Sequence, residues 1–406
     1  MLKLFNSLGK KMEVFQPVNE RVVTLFTCGP SIYQRAHIGN FRTFLFEDIL
    51  VRYLEYLGWR VERGMNFTDI EDKAIKEAHK KGVSVEKLTK ENIDGFLREM
   101  LLLRIKTPDY LPRASDYVKE AAAMIERLLE LKVAYRHRGN IYFDPLKFPG
   151  FGKLYGLDMS RWPTGKKRFH RDTYPGIQWN LGDFILWHGY REGDAVFWDT
   201  AIGRGRPSWN IQDPSMVGSH YQETLSIYCG GIDNLYRHHD YSLAILESLR
   251  SYPMARFWLH GHHLLVGGRK MSKSRGTVYY TGDLLDQGYT AAEIRFFLIY
   301  GHYREKLSFS DKGMKSAAEK LRRFRGQVSE IAKRAEEGSA PLENDRARRT
   351  RETFRGHMDE DLEVRKAFDG LSQELEAVKP GDLKPSAAAS IISVLREIDR
   401  VLNVIF

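Results

Sequence analysis

Two short strings hold the residues best suited to chemistry in this 406-residue chain. One is Lys270-Met-Ser-Lys-Ser274, followed by Arg275-Gly276-Thr277. Lys270 and Lys273, three apart in a loop rich in Gly and Ser, suit clamping of the charge that develops on a leaving pyrophosphate. The other is Cys28-Gly-Pro-Ser-Ile-Tyr33, running into Ala36-His37-Ile-Gly39-Asn40. A helix opening there after a Gly-containing turn offers N–H groups and the positive end of its dipole to phosphate. His37 would donate to a phosphate oxygen, and Gly39 would let a base or ribose approach the backbone. A histidine at a helix start serves as readily as a structural partner. Between the two strings, Gly231-Ile-Asp233 suits ribose recognition by close backbone approach and a carboxylate acceptor, with His238 five residues beyond the aspartate.

These residues need elements to position them. VVTLFTCG (22 to 29) reads as a buried strand ending in a loop. Phe41, Phe44, Leu45, Ile49, Leu50, Tyr53 and Leu54 recur at helical spacing until Gly58, and WRVERGMNFTD reads as a second strand. A strand, Gly-bearing loop, helix and strand open a parallel nucleotide-binding sheet. Residues 85 to 132 read as largely helical, broken near Pro108 and Pro112. The stretch from about 145 to 207 has little helical period and reads as an insertion of loops and short strands. LSIYCGG (225 to 231) resumes the sheet, a helix follows from about His238 to Ser251, and HHLLVGG (262 to 268) is β-prone. Thr290-Ala-Ala-Glu293 is a capping box. From 304 the pattern is helical and charged, with a break at Glu337-Gly-Ser-Ala-Pro341 and a last helix over roughly 386 to 406. The fold class expected is α/β: a Rossmann-type catalytic domain over 1–303, then a helical bundle over 304–406.

Composition narrows the class. The chain is 42% hydrophobic and 29% charged, which excludes general disorder. No apolar run reaches the ~18 to 20 residues of a membrane helix, and the start does not read as a signal peptide. With two cysteines, Cys28 and Cys229, a disulfide scaffold is excluded and a cytoplasmic setting is expected. The net charge of +10 favours anionic partners.

Together the two strings resemble the HIGH and KMSKS signatures of class I aminoacyl-tRNA synthetases. The closer resemblance, over nearly the whole chain, is to the cysteinyl-tRNA synthetase subfamily. MLKLFNSL, CGPSIY, MNFTDIEDKAIKEA, DFILW, GRPSWNI, CGGIDNLYRHHD, GHYREKLSF and MDEDLEV have counterparts there in the same order. The resemblance implies ATP and Mg as cofactors, an aminoacyl-adenylate intermediate, and acyl transfer to tRNA. It implies that His37, Gly39 and Asn40 line the phosphates, Gly231 and Asp233 hold the ribose, and Lys270 and Lys273 stabilise the transition state. Cys28, Gly29, Thr68, Trp209, Asp213, Tyr228 and His238 would surround the amino acid.

The sequence departs from that family at the amino acid pocket. The family reads the substrate thiolate with zinc held by two Cys, one His and one Glu, and zinc prefers sulfur to a hydroxyl. Cys28 and His238 are kept, whereas Asp213 stands for the second Cys and Ser242 for the Glu. Asp213 could still join Cys28 and His238 on a metal, with Asp240 or Cys229 recruited. Asn210 and Tyr228 replace two family histidines, and Asn40 replaces the second His of HIGH. The chain also shows no counterpart of the family's anticodon-reading domain. In this it resembles the shortened ligases that join cysteine to an amino sugar, which nevertheless keep the zinc ligands. These departures point to a changed amino acid or acceptor, tRNA or a small molecule. A divergent cysteine–tRNA ligase and a non-catalytic RNA- or ATP-binding paralogue stand as alternatives. Basic residues around 166–171, 320–325 and 346–351 are candidates to follow a phosphate backbone, or to form a solvated face. The oligomeric state is not legible.

Overall fold

The computed structural model describes residues 1–159, 183–271, 276–335 and 344–406. The chain starts with a hairpin of β1 (Lys3–Asn6) and β2 (Lys11–Val14). β3 (Val22–Thr27) follows, buried along nearly its whole length, as befits a strand covered on both faces. α1 (Ile38–Tyr56) packs Phe41, Leu45, Leu50 and Leu54 inward. Gly58, at φ +95°, then turns the chain through the left-handed region that favours glycine. β4 (Arg60–Met65) pairs in parallel with β3. The helical stretch that follows is three helices, α2 (Asp72–Lys81), α3 (Val85–Leu102) and α4 (Val118–Glu130). Pro108 and Pro112 lie in the irregular segment between the last two.

β5 (Ala134–His137), β6 (Asn140–Phe143), β7 (Phe184–Gly189) and β8 (Gly205–Pro207) form a four-stranded antiparallel sheet in that order. The insertion read from residue 145 therefore draws in two earlier strands, because β6 is the hydrogen-bonded partner of β7. α5 (Trp209–His220) leads to β9 (Leu225–Gly231), which pairs with the free edge of β3. A short π-helical turn over Leu235–His239, α6 (Asp240–Leu249) and β10 (Ala255–Gly261) complete the parallel sheet, ordered β10-β9-β3-β4. The chain thus winds outward from β3 in both directions. The carboxyl ends of β3 and β9 flank the switch point, where sheets of this kind open a ligand crevice.

β10 occupies ARFWLHG, just before the run read as β-prone. Phe257, Trp258 and Leu259 are all buried, so the strand shows no alternation to betray it. Of HHLLVGG, β11 (Leu264–Val266) is strand, in a small sheet with β12 (Arg269–Lys270) and β13 (Leu307–Phe309). α7 (Thr281–Asp286) and α8 (Ala291–Ile299) lead to the bundle. The Thr290–Glu293 capping box forms, with Thr290 N–H donating to Glu293 Oε2 at 2.8 Å.

The bundle comprises α9 (Asp311–Arg334), α10 (Asp345–Met358), α11 (Val364–Glu376) and α12 (Pro385–Leu402). The break expected at 337–341 lies outside the described residues. One apolar core runs from Leu25 and Leu45 through Phe296 to Phe354 and Leu395, joining sheet and bundle. Buried Arg295 ties them further, pairing with Asp48 at 2.6 Å and donating to the carbonyls of Leu103 and Leu402. Among the described residues, no helix is long and apolar enough to cross a membrane.

Candidate active site

The loop after β3 brings Cys28 and Gly29 to the switch point. A Cβ on Gly29 would sit 1.7 Å from the carbonyl oxygen of Asn66, so only glycine fits this close approach. His37 is the N-cap of α1. Its Nδ1 accepts from Asn40 N–H at 3.2 Å, and Asn40 Oδ1 accepts from His37 N–H at 3.0 Å. This reciprocal cap puts the proton of a neutral His37 ring on Nε2, the donor a phosphate oxygen needs. It also explains Asn40, whose amide closes the cap at a position where the family's signature has histidine.

From the other side, Asp233 follows β9 and Lys270 ends β12. Lys270 Nζ lies 2.5 Å from Asp233 Oδ2, and His263 Nε2 is 4.0 Å from Asp233 Oδ1. Burial opposes the Asp233 charge, but Lys270 and His263 outweigh it and hold the carboxyl below its usual range. One cleft of about 620 Å³ is lined by Cys28, Gly29, His37, Gly39, Asn40, Thr68, Trp209, Gly231, Asp233 and Lys270. The structure thus brings together ten of the residues expected from sequence. Lys273 lies outside the described residues.

Asp213, Tyr228 and His238 stand in the wall behind this cleft, each fully buried. Asp213 Oδ1 accepts from Asn66 Nδ2 at 2.8 Å, and Oδ2 accepts from Tyr228 OH at 2.7 Å and lies 3.0 Å from His238 Nε2. Trp209 stacks on His238, ring centres 3.9 Å apart and planes 3° from parallel. Burial works against ionised Asp213, yet His238, Tyr228 and Cys28 together keep its carboxyl below the usual range. Burial and the Asp213 charge push the Cys28 thiol well up. Asn66 was not singled out from sequence, nor were His239 and His260. His239 Nδ1 and His260 Nε2 are 2.8 Å apart, and His260 Nδ1 is 2.8 Å from Ser7 Oγ. Their partners come from four separate elements, a grouping that no spacing along the chain signals.

The donor set can be tested against the zinc site that the resemblance implies. Among the described residues, the metal-type donors that come together are Cys28, His238 and His239, one atom from each lying within 4.8 Å of the others. The expected Asp213 has both oxygens engaged by hydrogen-bond partners. Ser242 Oγ donates to the His238 carbonyl at 2.9 Å. Asp240 accepts from the N–H groups of Leu154 and Tyr155, so it is not recruited. The family's four-ligand set therefore does not fit this pocket, because two of its positions serve internal hydrogen bonds.

The basic runs of the bundle are largely tied to it. Lys320 pairs with Asp369, Arg322 with Glu293, Arg351 with Glu397, and Arg325 donates to the Val404 carbonyl. Ion pairing within the bundle and with α8 thus occupies much of the charge that the sequence left as either a phosphate-following surface or a solvated face. The run at 166–171 lies outside the described residues.

Residues 14–319 match the family model described as the tRNA synthetases class I (C) catalytic domain. A cysteine–tRNA ligase of Chlamydia muridarum is 36% identical, over 100% of this chain and 88% of the relative. One from Chlamydia trachomatis is 40% identical, over 81% of this chain and 69% of its own. Among solved structures, Mycobacterium tuberculosis methionyl-tRNA synthetase with methionyl-adenylate superposes with a TM-score of 0.67 at 15% identity, covering 94% of this chain and 92% of that one. The LeuRS of Agrobacterium radiobacter K84, in a ternary complex with tRNA and LeuAMS, superposes at 0.71 and 14% identity, over 97% and 86%. These likenesses fit the α/β fold derived above. With the capped His37, the Asp233–Lys270 pair and a switch-point cleft already in place, the matches leave one family for this chain: it is a ligase of the class I aminoacyl-tRNA synthetases, in the cysteinyl-tRNA synthetase group.

Proposed function

We propose that this protein is an ATP-dependent, AMP-forming ligase whose amino acid or acceptor differs from the family's. An amino acid carboxylate attacks the α-phosphorus of Mg-bound ATP, the bond to the β-phosphate oxygen breaks, and aminoacyl-adenylate and pyrophosphate result. The acyl group then passes to an acceptor nucleophile, whose proton leaves, releasing AMP. Catalysis of this kind is positioning and charge stabilisation. His37 Nε2–H would donate to a phosphate oxygen, Gly231 and Asp233 would hold the ribose, and Lys270 with Lys273 would meet charge on the departing pyrophosphate.

The observation that carries the reading is the convergence of His37, Asp233 and Lys270 on one cleft at the switch point. The altered choice rests on Asp213, a carboxylate bonded to Asn66 and Tyr228 at the place of a metal-binding thiolate. Zinc is therefore expected at clearly less than one per chain in purified protein. A stoichiometric, tightly held zinc would restore the reading of a divergent cysteine–tRNA ligase. The intact Lys270-Met-Ser-Lys-Ser274 string speaks against a non-catalytic paralogue. Both cysteines are free thiols, in keeping with a cytoplasmic setting.

The test is amino acid-dependent exchange of pyrophosphate into ATP across the standard amino acids and some non-standard ones. Exchange with an acid other than cysteine supports the proposal. Exchange with cysteine alone leaves a changed acceptor to be sought, and cysteine transfer to its tRNA would then overturn the altered choice. Where tRNA is the acceptor, binding should weaken steeply with salt as counterions are released, whereas a small acceptor would show a nearly flat response.

A further inference from the structure

We infer that His263 reads the ribose of the nucleotide, its ring N–H donating to a hydroxyl that itself donates to Asp233. The inference rests on reading the cleft as an ATP site, and it adds a residue that no motif in the chain marks. His263 lies in the connection between β10 and β11 and lines the cleft beside Asp233 and Lys270. Its place is set by backbone bonds on either side: His262 N–H donates to the Tyr303 carbonyl at 2.7 Å, and the His263 carbonyl accepts from Leu307 N–H at 3.3 Å.

The spacing carries the argument. His263 Nε2 and Asp233 Oδ1 are 4.0 Å apart, beyond hydrogen-bond reach. One oxygen roughly 2.8 Å from each spans such a gap with two ordinary bonds. The bridging atom must accept from the imidazole and donate to the carboxylate at once, which a hydroxyl does and a deoxy carbon does not. The other carboxylate oxygen, Oδ2, is held by Lys270 at 2.5 Å, so Oδ1 is the one left to take the hydroxyl. Burial lowers the His263 pKa, and although the Asp233 charge opposes this, Lys270 adds to the lowering, so near neutral pH the ring has one N–H to give. A sugar lacking that hydroxyl would leave both Asp233 Oδ1 and the His263 N–H without their bridging partner, and a site arranged to bond a hydroxyl discriminates against the analogue that lacks it.

Calorimetric titration of the full chain with ATP, 2′-deoxy-ATP and 3′-deoxy-ATP tests this without knowing the amino acid. His263→Ala should weaken ATP about three- to tenfold, the loss of one ordinary hydrogen bond. It should leave unchanged the affinity for whichever deoxy analogue lacks the bridging hydroxyl. His263→Gln, which keeps an N–H donor at similar reach, should recover part of the loss. Equal weakening of all three nucleotides, or no weakening of ATP, would overturn the role of His263 while leaving the ligase reading in place. Failure of the unaltered protein to bind ATP would instead overturn the ligase reading, and this inference with it.

Discussion

At position 213 a buried carboxylate gathers Asn66, Tyr228 and His238 around it, in a pocket whose relatives by sequence are named cysteine–tRNA ligases. An anion bonded in this way offers a metal little, whereas a thiolate there would offer it much. The double change Asp213→Cys with Ser242→Glu is therefore expected to raise zinc content from well below one per chain to near one, read by metal analysis. No gain in zinc by a folded double variant would show that the two substitutions do not govern the metal. Glu71 offers a separate test. It is buried beside Ser31, which hydrogen-bonds to it, and burial pushes its pKa from 4.5 to about 7. Its folded-state pKa is the higher one, so the folded chain keeps a proton that the unfolded chain has released. Stability should fall as pH rises from about 4.5 to 7, then level off. Against Glu71→Gln the fall should reach up to about 3 kcal/mol in urea titrations. Parallel pH curves for the two proteins would refute the shift.

The opening of α1 does two jobs, and one substitution separates them. Asn40 Oδ1 closes the helix cap with His37 N–H, while the first turn presents its positive end to the cleft. Asn40→Asp keeps the accepting oxygen and adds a negative charge where the dipole welcomes it, so thermal stability should hold or rise slightly. The same charge beside the phosphates should weaken ATP several-fold by titration calorimetry. Asn40→Ala should do the reverse, losing about 1 kcal/mol of stability with the cap and less of the ATP affinity. Equal effects of both variants on stability would mean that the reciprocal cap contributes nothing.

Over the whole molecule, the parallel sheet and the helical bundle unfold as one body if the shared core is decisive. Arg295 sits at their junction, fully buried and paired with Asp48, itself fully buried. Arg295→Leu would leave Asp48 without that partner, a change that costs about 3 to 5 kcal/mol where a buried pair is broken. Urea unfolding followed by tryptophan fluorescence and by helical circular dichroism should shift together to lower urea. Two separated transitions in the unaltered protein would show instead that bundle and sheet are independent units.

Sequence alone determined the α/β class and the strand–loop–helix opening, and it marked the residues proposed for phosphate and ribose, because these rest on local rules. A buried strand is an apolar run, a helix start is a cap, and a phosphate-binding string is contiguous in the chain. It also marked Asp213 and Ser242 as altered. It could not say what surrounds Asp213, since Asn66, Asp213, Tyr228 and His238 lie on different elements and meet where β3 and β9 end side by side. β10 was passed over because Phe257, Trp258 and Leu259 show no alternation, both faces of the strand being covered. The basic bundle helices read equally as a phosphate surface or a solvated face, and the fold supplies them with partners, Glu293, Asp369 and Glu397, from distant segments. Only the folded chain decides such pairings, since charge and hydrogen-bond partners are set by proximity in space rather than by order along the sequence.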